Sequence, residues 1–360
     1  MAESPAPNQT GPAPSGPLRR MWKSFAAIVA GAGIVFAAIG YITDGAQFFT
    51  HIEDYFQDRS EQRALIATAD DRLAHGDFQT AWAANGKAKA LAPRDEAVAA
   101  QQARIAMKWL EDVHVSSTTG PKSFTEVADP LKAALLERLP ATKGRDHADI
   151  RAHIGWANFL RYRDGSPKTD IAEEFDAAIA EDPDNFYGHL LRGFWSLWNG
   201  DIAKARPDLA IAMQSTVDPA YSDGMIMAGF TNSTSDDFMA AAIEYADKIR
   251  AAGRMIDDHA KGQLLWYYSM CLHDKNLLAA FGKTLPANEQ IAFLGWLKQG
   301  DVTASNKRAA DYFIAYFSEQ DGKKDDALRL YNEIVNTSQD KRNEIVAVMA
   351  AADAKRLQKR

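Results

Sequence analysis

"HGDFQTAWAANGKAKALAP", residues 75–93, places a Gly-Asp turn ahead of a run in which Ala81, Ala84 and Ala88 recur at helical spacing, and a proline closes it. Ala69 stands twelve residues before Ala81, so the turn falls between two small residues on consecutive helices. The same separation recurs at Gly193/Ala205, Gly229/Ala241 and Ala315/Ala327. The turns sit at one offset: Gly76-Asp77-Phe78, Gly200-Asp201-Ile202, Asp236-Asp237-Phe238 and Gly322-Lys323-Lys324. A bulky residue follows four positions after the second Ala at Leu209, Tyr245 and Tyr331. Antiparallel helices approach closely only where their facing residues lack bulk, so small residues flanked by large ones predict interlocking helical hairpins.

This pattern resembles the tetratricopeptide repeat, a helix-turn-helix unit of about 34 residues that stacks into a superhelix. The Gly193 and Gly229 copies lie 36 residues apart, one repeat plus a small insertion at Val217-Asp218-Pro219. Phe175, Ala178 and Pro183 mark a further copy whose first helix is stretched by "YRDGSPK", whereas residues 94–150 and 252–304 keep no clean register. The resemblance implies an all-α fold, an α-solenoid of such hairpins over residues 61–360, acting as a docking surface for proteins or peptides.

Composition agrees with a packed helical chain. Hydrophobic residues make up 46% and charged residues 25%, values that sustain a large core. Segments such as "ARIAMKWLEDV", "DIRAHIGWANFLRY" and "NKRAADYFIAYFSEQ" carry helical periodicity, and sustained β-branched alternation is absent. Cys271 is the single cysteine, so no intrachain disulfide forms, and its apolar setting "LLWYYSMCL" predicts a buried thiol.

The amino-terminal end reads as a membrane anchor. Residues 1–20 are expected to be a disordered, Pro-rich cytoplasmic tail, with five prolines before Arg19. The uncharged run "FAAIVAGAGIVFAAIGYI" then predicts one transmembrane helix over 21–43, since about 20 apolar residues match a hydrocarbon core. A cleaved signal peptide is the alternative. Arg19, Arg20 and Lys23 precede the run and Asp44, Glu53, Asp54 and Asp58 follow it. That asymmetry predicts an inner-membrane, single-pass protein with a cytoplasmic amino terminus and a periplasmic repeat domain. Residues 44–60 are expected to form a juxtamembrane amphipathic helix presenting Phe48, Phe49, Ile52, Tyr55 and Phe56.

The balance of 41 basic against 48 acidic residues, a formal net charge of −7, argues against nucleic acid as a partner. Chemistry-bearing motifs are few. Gly282-Lys283-Thr284 lacks the first glycine of a phosphate loop, Leu277 standing in its place. His147 and His153 are six apart and fall on opposite helix faces, so they cannot chelate as an i, i+4 pair would. His259 and His273 lack a carboxylate at ligand spacing, and Glu173/Glu174 and Asp257/Asp258 read as solvated faces. The expectation is therefore no catalytic residue, no metal and no cofactor.

The functional expectation is a membrane-anchored, extracytoplasmic scaffold that binds a protein or peptide partner, itself membrane-associated in one version, through a concave face. The alternatives are an enzyme with an unrecognised site carried on the helical domain and a self-assembling structural subunit. In the repeat family the inner wall comes from the first helix of each hairpin. That placement selects Tyr187, Phe194, Trp198, Ile226, Phe230, Tyr312 and Tyr316 as an aromatic groove. A second reading makes these rings core between stacked repeats.

Overall fold

The computed structural model describes residues 45–115, 123–168, 170–230, 233–338 and 344–359. Sixteen α-helices run through the described residues, and no strand occurs among them. The first five are α1 (Gly45–Ala74), α2 (Phe78–Leu91), α3 (Glu96–Val115), α4 (Phe124–Arg138) and α5 (Gly144–Arg163). Next come α6 (Ile171–Glu181), α7 (Phe186–Trp198), α8 (Ile202–Gln214), α9 (Pro219–Phe230), α10 (Asp236–Ala251) and α11 (Asp258–Met270). The last are α12 (Lys275–Thr284), α13 (Ala287–Leu297), α14 (Ala304–Gln320), α15 (Lys324–Thr337) and α16 (Ile345–Gln358).

Helices pack chiefly on their neighbours in sequence, as in α1 with α2, α5 with α6, α7 with α8 and α14 with α15. That is the contact pattern of a solenoid. One apolar core runs from Ala103 to Leu357, and a smaller cluster of Ala69, Ala81, Ala84 and Ile105 closes the first hairpin. In the polar ladder beside that cluster, Asn85 Nδ2 donates to Val98 O and to Gln101 Oε1, and Gln101 Nε2 donates to Ile66 O, while Asn85 Oδ1 is buried without a hydrogen-bond partner among the described residues. These bonds tie α1, α2 and α3 into one unit.

Glycine makes the turns. Gly76, Gly200 and Gly322 hold φ of +72°, +80° and +81° just past α1, α7 and α14, a conformation that costs a side-chain-bearing residue energy. In each, the amide of the residue after the glycine, three past the helix, bonds back five residues: Asp77 to Arg72 O, Asp201 to Ser196 O and Lys323 to Ser318 O. Asp77 and Asp201 then cap the next helix, accepting from the amides of Thr80 and Lys204. The Asp236-Asp237-Phe238 turn expected from sequence is instead the first turn of α10, whose N-cap is Ser235. Two acidic residues favour the first turn of a helix, where they face the positive end of its dipole.

All eight small residues of the four pairs are buried. The tightest contact lies one turn beyond the expected pairing, however. A Cβ built on Gly193 falls 2.6 Å from Leu209 Cδ2, and one on Gly155 falls 2.7 Å from Phe175 Cε1. Helical side chains lean toward the amino terminus of their own helix, so the bulky residue four after the second Ala reaches back over the glycine. Gly229 serves a different joint, its Cβ position lying 2.7 Å from Leu197 Cδ1 of the preceding hairpin. Over 252–304 the pairing departs from the simple order: α10 packs on α12, and α11 packs on α14.

The expected inner-membrane location, with a cytoplasmic amino terminus and a periplasmic repeat domain, is overturned. Among the described residues no helix is long and apolar enough to cross a membrane. The physical reason is composition: even α1, the longest at 30 residues, carries acidic and basic residues from Glu53 to Arg72. The expected tail over 1–20 and helix over 21–43 lie outside the described residues. The boundary drawn at residue 60 falls inside α1, which runs unbroken through it.

The hairpin register predicts unequal effects for two neighbouring alanines. Ala205 is fully buried between α7 and α8, whereas Ala203 is exposed. Ala205→Leu is expected to destabilise by roughly 1–3 kcal/mol or more and Ala203→Leu to leave stability nearly unchanged. Thermal unfolding of the two variants reads the difference, and equal midpoints contradict the register.

Candidate functional site

One polar cluster draws together α3, α5, α7 and Asp218, the residue just before α9. On α3, Lys108 and Glu111 are one turn apart, and Lys108 Nζ donates to Glu111 Oε2 at 2.7 Å. The same ammonium reaches Asp218 Oδ2 at 3.4 Å and Tyr187 Oη at 3.5 Å. His153 of α5, wholly buried, places Nε2 3.2 Å from Glu111 Oε1 and Nδ1 2.7 Å from Asp149 O. Asn185 Nδ2 donates to Asp149 Oδ1 at 2.7 Å, which closes the chain of contacts onto the start of α7.

Burial works against every charge in this cluster, so the partners decide the outcome. Burial pushes the Glu111 carboxyl up, but His153 and Lys108 outweigh it and hold the group below its usual range. Burial likewise opposes the Lys108 ammonium, and Glu111, Tyr187 and Asp218 reverse it, keeping that group charged well above its ordinary value. Lys108 is therefore committed to its carboxylates. Burial raises the Asp149 carboxyl and the Tyr187 phenol.

Beside this cluster opens a cavity of about 510 Å³. Its walls come from distant parts of the chain: Phe78 of α2, Lys108, Glu111 and Asp112 of α3, Tyr221, Gly224 and Met227 of α9, and the segment around Met255 and Asp257 that leads into α11. The lining is mainly apolar, and its charged residues are one lysine against four carboxylates: Glu111, Asp112, Asp218 and Asp257. Met255 is 57% exposed at the rim, where it receives a hydrogen bond from Trp296 Nε1 at 3.4 Å. The Tyr221 hydroxyl is buried without a hydrogen-bond partner among the described residues. A flexible thioether at the rim suits a surface that receives a ligand.

A second recess of about 690 Å³ lies over α6, α7 and α8. Its buried charges are satisfied: Arg192 donates to Asp208 through Nε at 2.8 Å and Nη2 at 2.7 Å and to Asp176 through Nη1 at 2.7 Å. His189 Nδ1 lies 2.7 Å from Asp208 Oδ1. These groups knit three consecutive helices together, and the cavity at α3 and α9 is the stronger candidate because its carboxylates outnumber its cations.

The aromatic residues expected to line a groove are not one wall. Tyr187 joins the polar cluster, its ring 4.5 Å from His153 and 6.4 Å from Tyr221. Phe194, Ile226, Phe230 and Tyr312 are buried in the core. Phe194 packs edge-on to Trp156 and Phe159, Phe230 packs on Phe238 and Tyr245, and the Tyr312 hydroxyl donates to Asp353 Oδ2 at 2.9 Å. Trp198 and Tyr316 are half-buried, the first against Phe159 and the Arg163 guanidinium, the second against Phe313 and Phe317.

Lys108, Glu111, Asp112, Asp218, Tyr221, Gly224, Met227 and Met255 belong to no sequence motif that marks a site. One signal was present: "ARIAMKWLEDV" sets Lys108 and Glu111 one turn apart inside an apolar run. Cys271 is buried as expected, with its thiol pushed up to about 12 by burial. Among the described residues no group of three or more His, Cys, Asp or Glu side chains could hold a metal ion.

No family model matches the chain, and no curated protein matches it. Among solved structures the chain is similar to a tetratricopeptide repeat protein from Parabacteroides merdae, with a TM-score of 0.39 and 11% identity over 81% of this chain and 99% of that one. It is also similar to yeast Tom70, with a TM-score of 0.24 and 12% identity over 90% and 96% of the two chains. The described residues form an all-α array of packed helical hairpins. The assignment rests on the hairpins described above, since likenesses of this size carry no weight of their own.

Asp223, on α9 beside the cavity, is 2% exposed, and Arg254 Nη1 stands 3.2 Å from its Oδ1 without hydrogen-bond geometry. Burial raises this carboxyl from 3.8 to about 6, and Arg254 offsets only part of that. Between those values the folded chain holds a proton that the unfolded chain has released, so this group's contribution to stability falls as pH rises from 3.8 to about 6. Asp223→Asn, which cannot ionise, is expected to gain on the wild type in thermal midpoint across that window. Parallel pH profiles for the two proteins contradict the assignment.

Proposed function

We propose that this chain is a protein-docking scaffold and that a segment of its partner occupies the cavity between α2, α3, α9 and the start of α11. The observation that carries the reading is the cavity itself: sequence-distant helices converge on a recess with a mainly apolar lining, an exposed methionine and carboxylates in excess of cations. Recesses that orient a bound segment combine apolar area with a few placed polar groups. Lys108 and His153 are each engaged with Glu111, so the cluster sets the position of the wall and leaves the outer carboxylates facing the recess.

Gly224 supplies a clean test. It lines the cavity on helix α9, and a Cβ built there meets no atom within 4 Å. Gly224→Leu therefore starts its side chain in open space in the recess, and replacing a mid-helix glycine favours the helix by about 0.5–1 kcal/mol for the backbone alone. Affinity isolation of the full-length protein from cells that make it is expected to recover a partner with the wild type and lose it with Gly224→Leu, at an unchanged or higher thermal midpoint. Equal recovery by the two proteins overturns the placement of the site.

A further inference from the structure

The charge pattern of the same cavity identifies the chemistry of the segment it takes, an inference that rests on the docking reading above. Four carboxylates and one lysine line the recess, and the lysine is held by Glu111 at 2.7 Å with Asp218 at 3.4 Å. Asp112 is exposed and makes no ion pair among the described residues. Asp257 spends one oxygen on capping α11 through the Ala260 amide and likewise has no cationic partner among the described residues. Between these carboxylates lie Phe78, Tyr221, Met227, Met255 and Ile256.

We propose that the cavity docks a basic, apolar protein segment: an apolar side chain seated against Met227, Met255 and Phe78, with flanking lysine or arginine side chains at Asp112 and Asp257. Charge complementarity selects this occupant. An acidic segment would meet Asp112 and Asp257 with no free cation to answer it, since Lys108 is already shared between Glu111 and Asp218. A neutral apolar segment would leave both rim carboxylates facing it unpaired. The long stems of lysine and arginine lie along methionine and aromatic surface while their charged heads reach a rim carboxylate.

The test uses the full-length protein and labelled synthetic peptides read by fluorescence anisotropy. One peptide alternates leucine with lysine, the second replaces each lysine by glutamate, and the third keeps the lysines and replaces each leucine by serine. The leucine–lysine peptide is expected to bind at least about tenfold more tightly than either of the others, with affinity falling as salt rises. Asp112→Lys is expected to weaken that peptide by about tenfold or more. Glu173→Lys, the same charge change on an exposed residue of α6 away from the cavity, is expected to leave it unaltered. Equal binding of the lysine and glutamate peptides, equal effects of Asp112→Lys and Glu173→Lys, or no binding of the leucine–lysine peptide overturns the proposal. If Gly224→Leu blocks the lysine and glutamate peptides alike, the charge selection fails while docking in the cavity stands.

Discussion

The close contact of a glycine with a bulky side chain on the neighbouring helix fixes the geometry on which the rest of this fold depends. Leu209 over Gly193 and Phe175 over Gly155 set the separation within two hairpins, and Leu197 over Gly229 sets the separation between one hairpin and the next. A methyl group at any of these glycines would stand closer than 3.0 Å to a buried carbon, so each joint holds one spacing. Helix pairs locked in this way stack with a repeated offset, and the repetition turns the array upon itself. The turn is what carries α2 and α3 to α9 and α11, bringing Lys108 within 3.4 Å of Asp218, 110 positions along the chain.

Buried charge then fixes the register that apolar packing leaves loose. Glu111 between Lys108 and His153 aligns α3 with α5, and Asp208 between Arg192 and His189 aligns α8 with α7. Such groups add little net stability over apolar residues of equal size, yet removing one partner leaves a buried charge unanswered at a cost of about 3–5 kcal/mol. Their value here is positional. The committed lysine keeps the cavity wall in place and leaves Asp112 and Asp257 as the carboxylates an incoming segment meets.

The hairpins were legible in the sequence because everything that makes them is local. Gly76, Gly200 and Gly322 announce left-handed turns, Asp77 and Asp201 announce helix caps, and Ala81, Ala205 and Ala327 announce close packing within a few turns of chain. Asp236-Asp237-Phe238 was misread because acidic residues serve a turn and the first turn of a helix equally well. The cavity was not legible, since Phe78, Lys108, Gly224 and Met255 become neighbours only through the accumulated curvature of the array. Lys108 and Glu111 were visible as a helical pair, but nothing in the sequence said that His153 would cover Glu111. The aromatic rows were legible as a periodic helix face, but periodicity identifies a shared face and does not say whether that face meets a ligand or another helix.

The approach of α3 to the start of α9 closes the cavity, and a zero-length cross-link measures it directly. A carbodiimide couples an ammonium to a carboxylate only where the two already touch, and Lys108 stands 3.4 Å from Asp218 in the folded chain. Peptide mapping of the treated full-length protein is expected to recover an intramolecular Lys108–Asp218 link beside the local Lys108–Glu111 link, which forms at 2.7 Å, and the link between Lys89 and Glu137, which are 2.6 Å apart on α2 and α4. Recovery of the Lys89–Glu137 link without the Lys108–Asp218 link would mean that the helices pair locally but do not close around a common cavity.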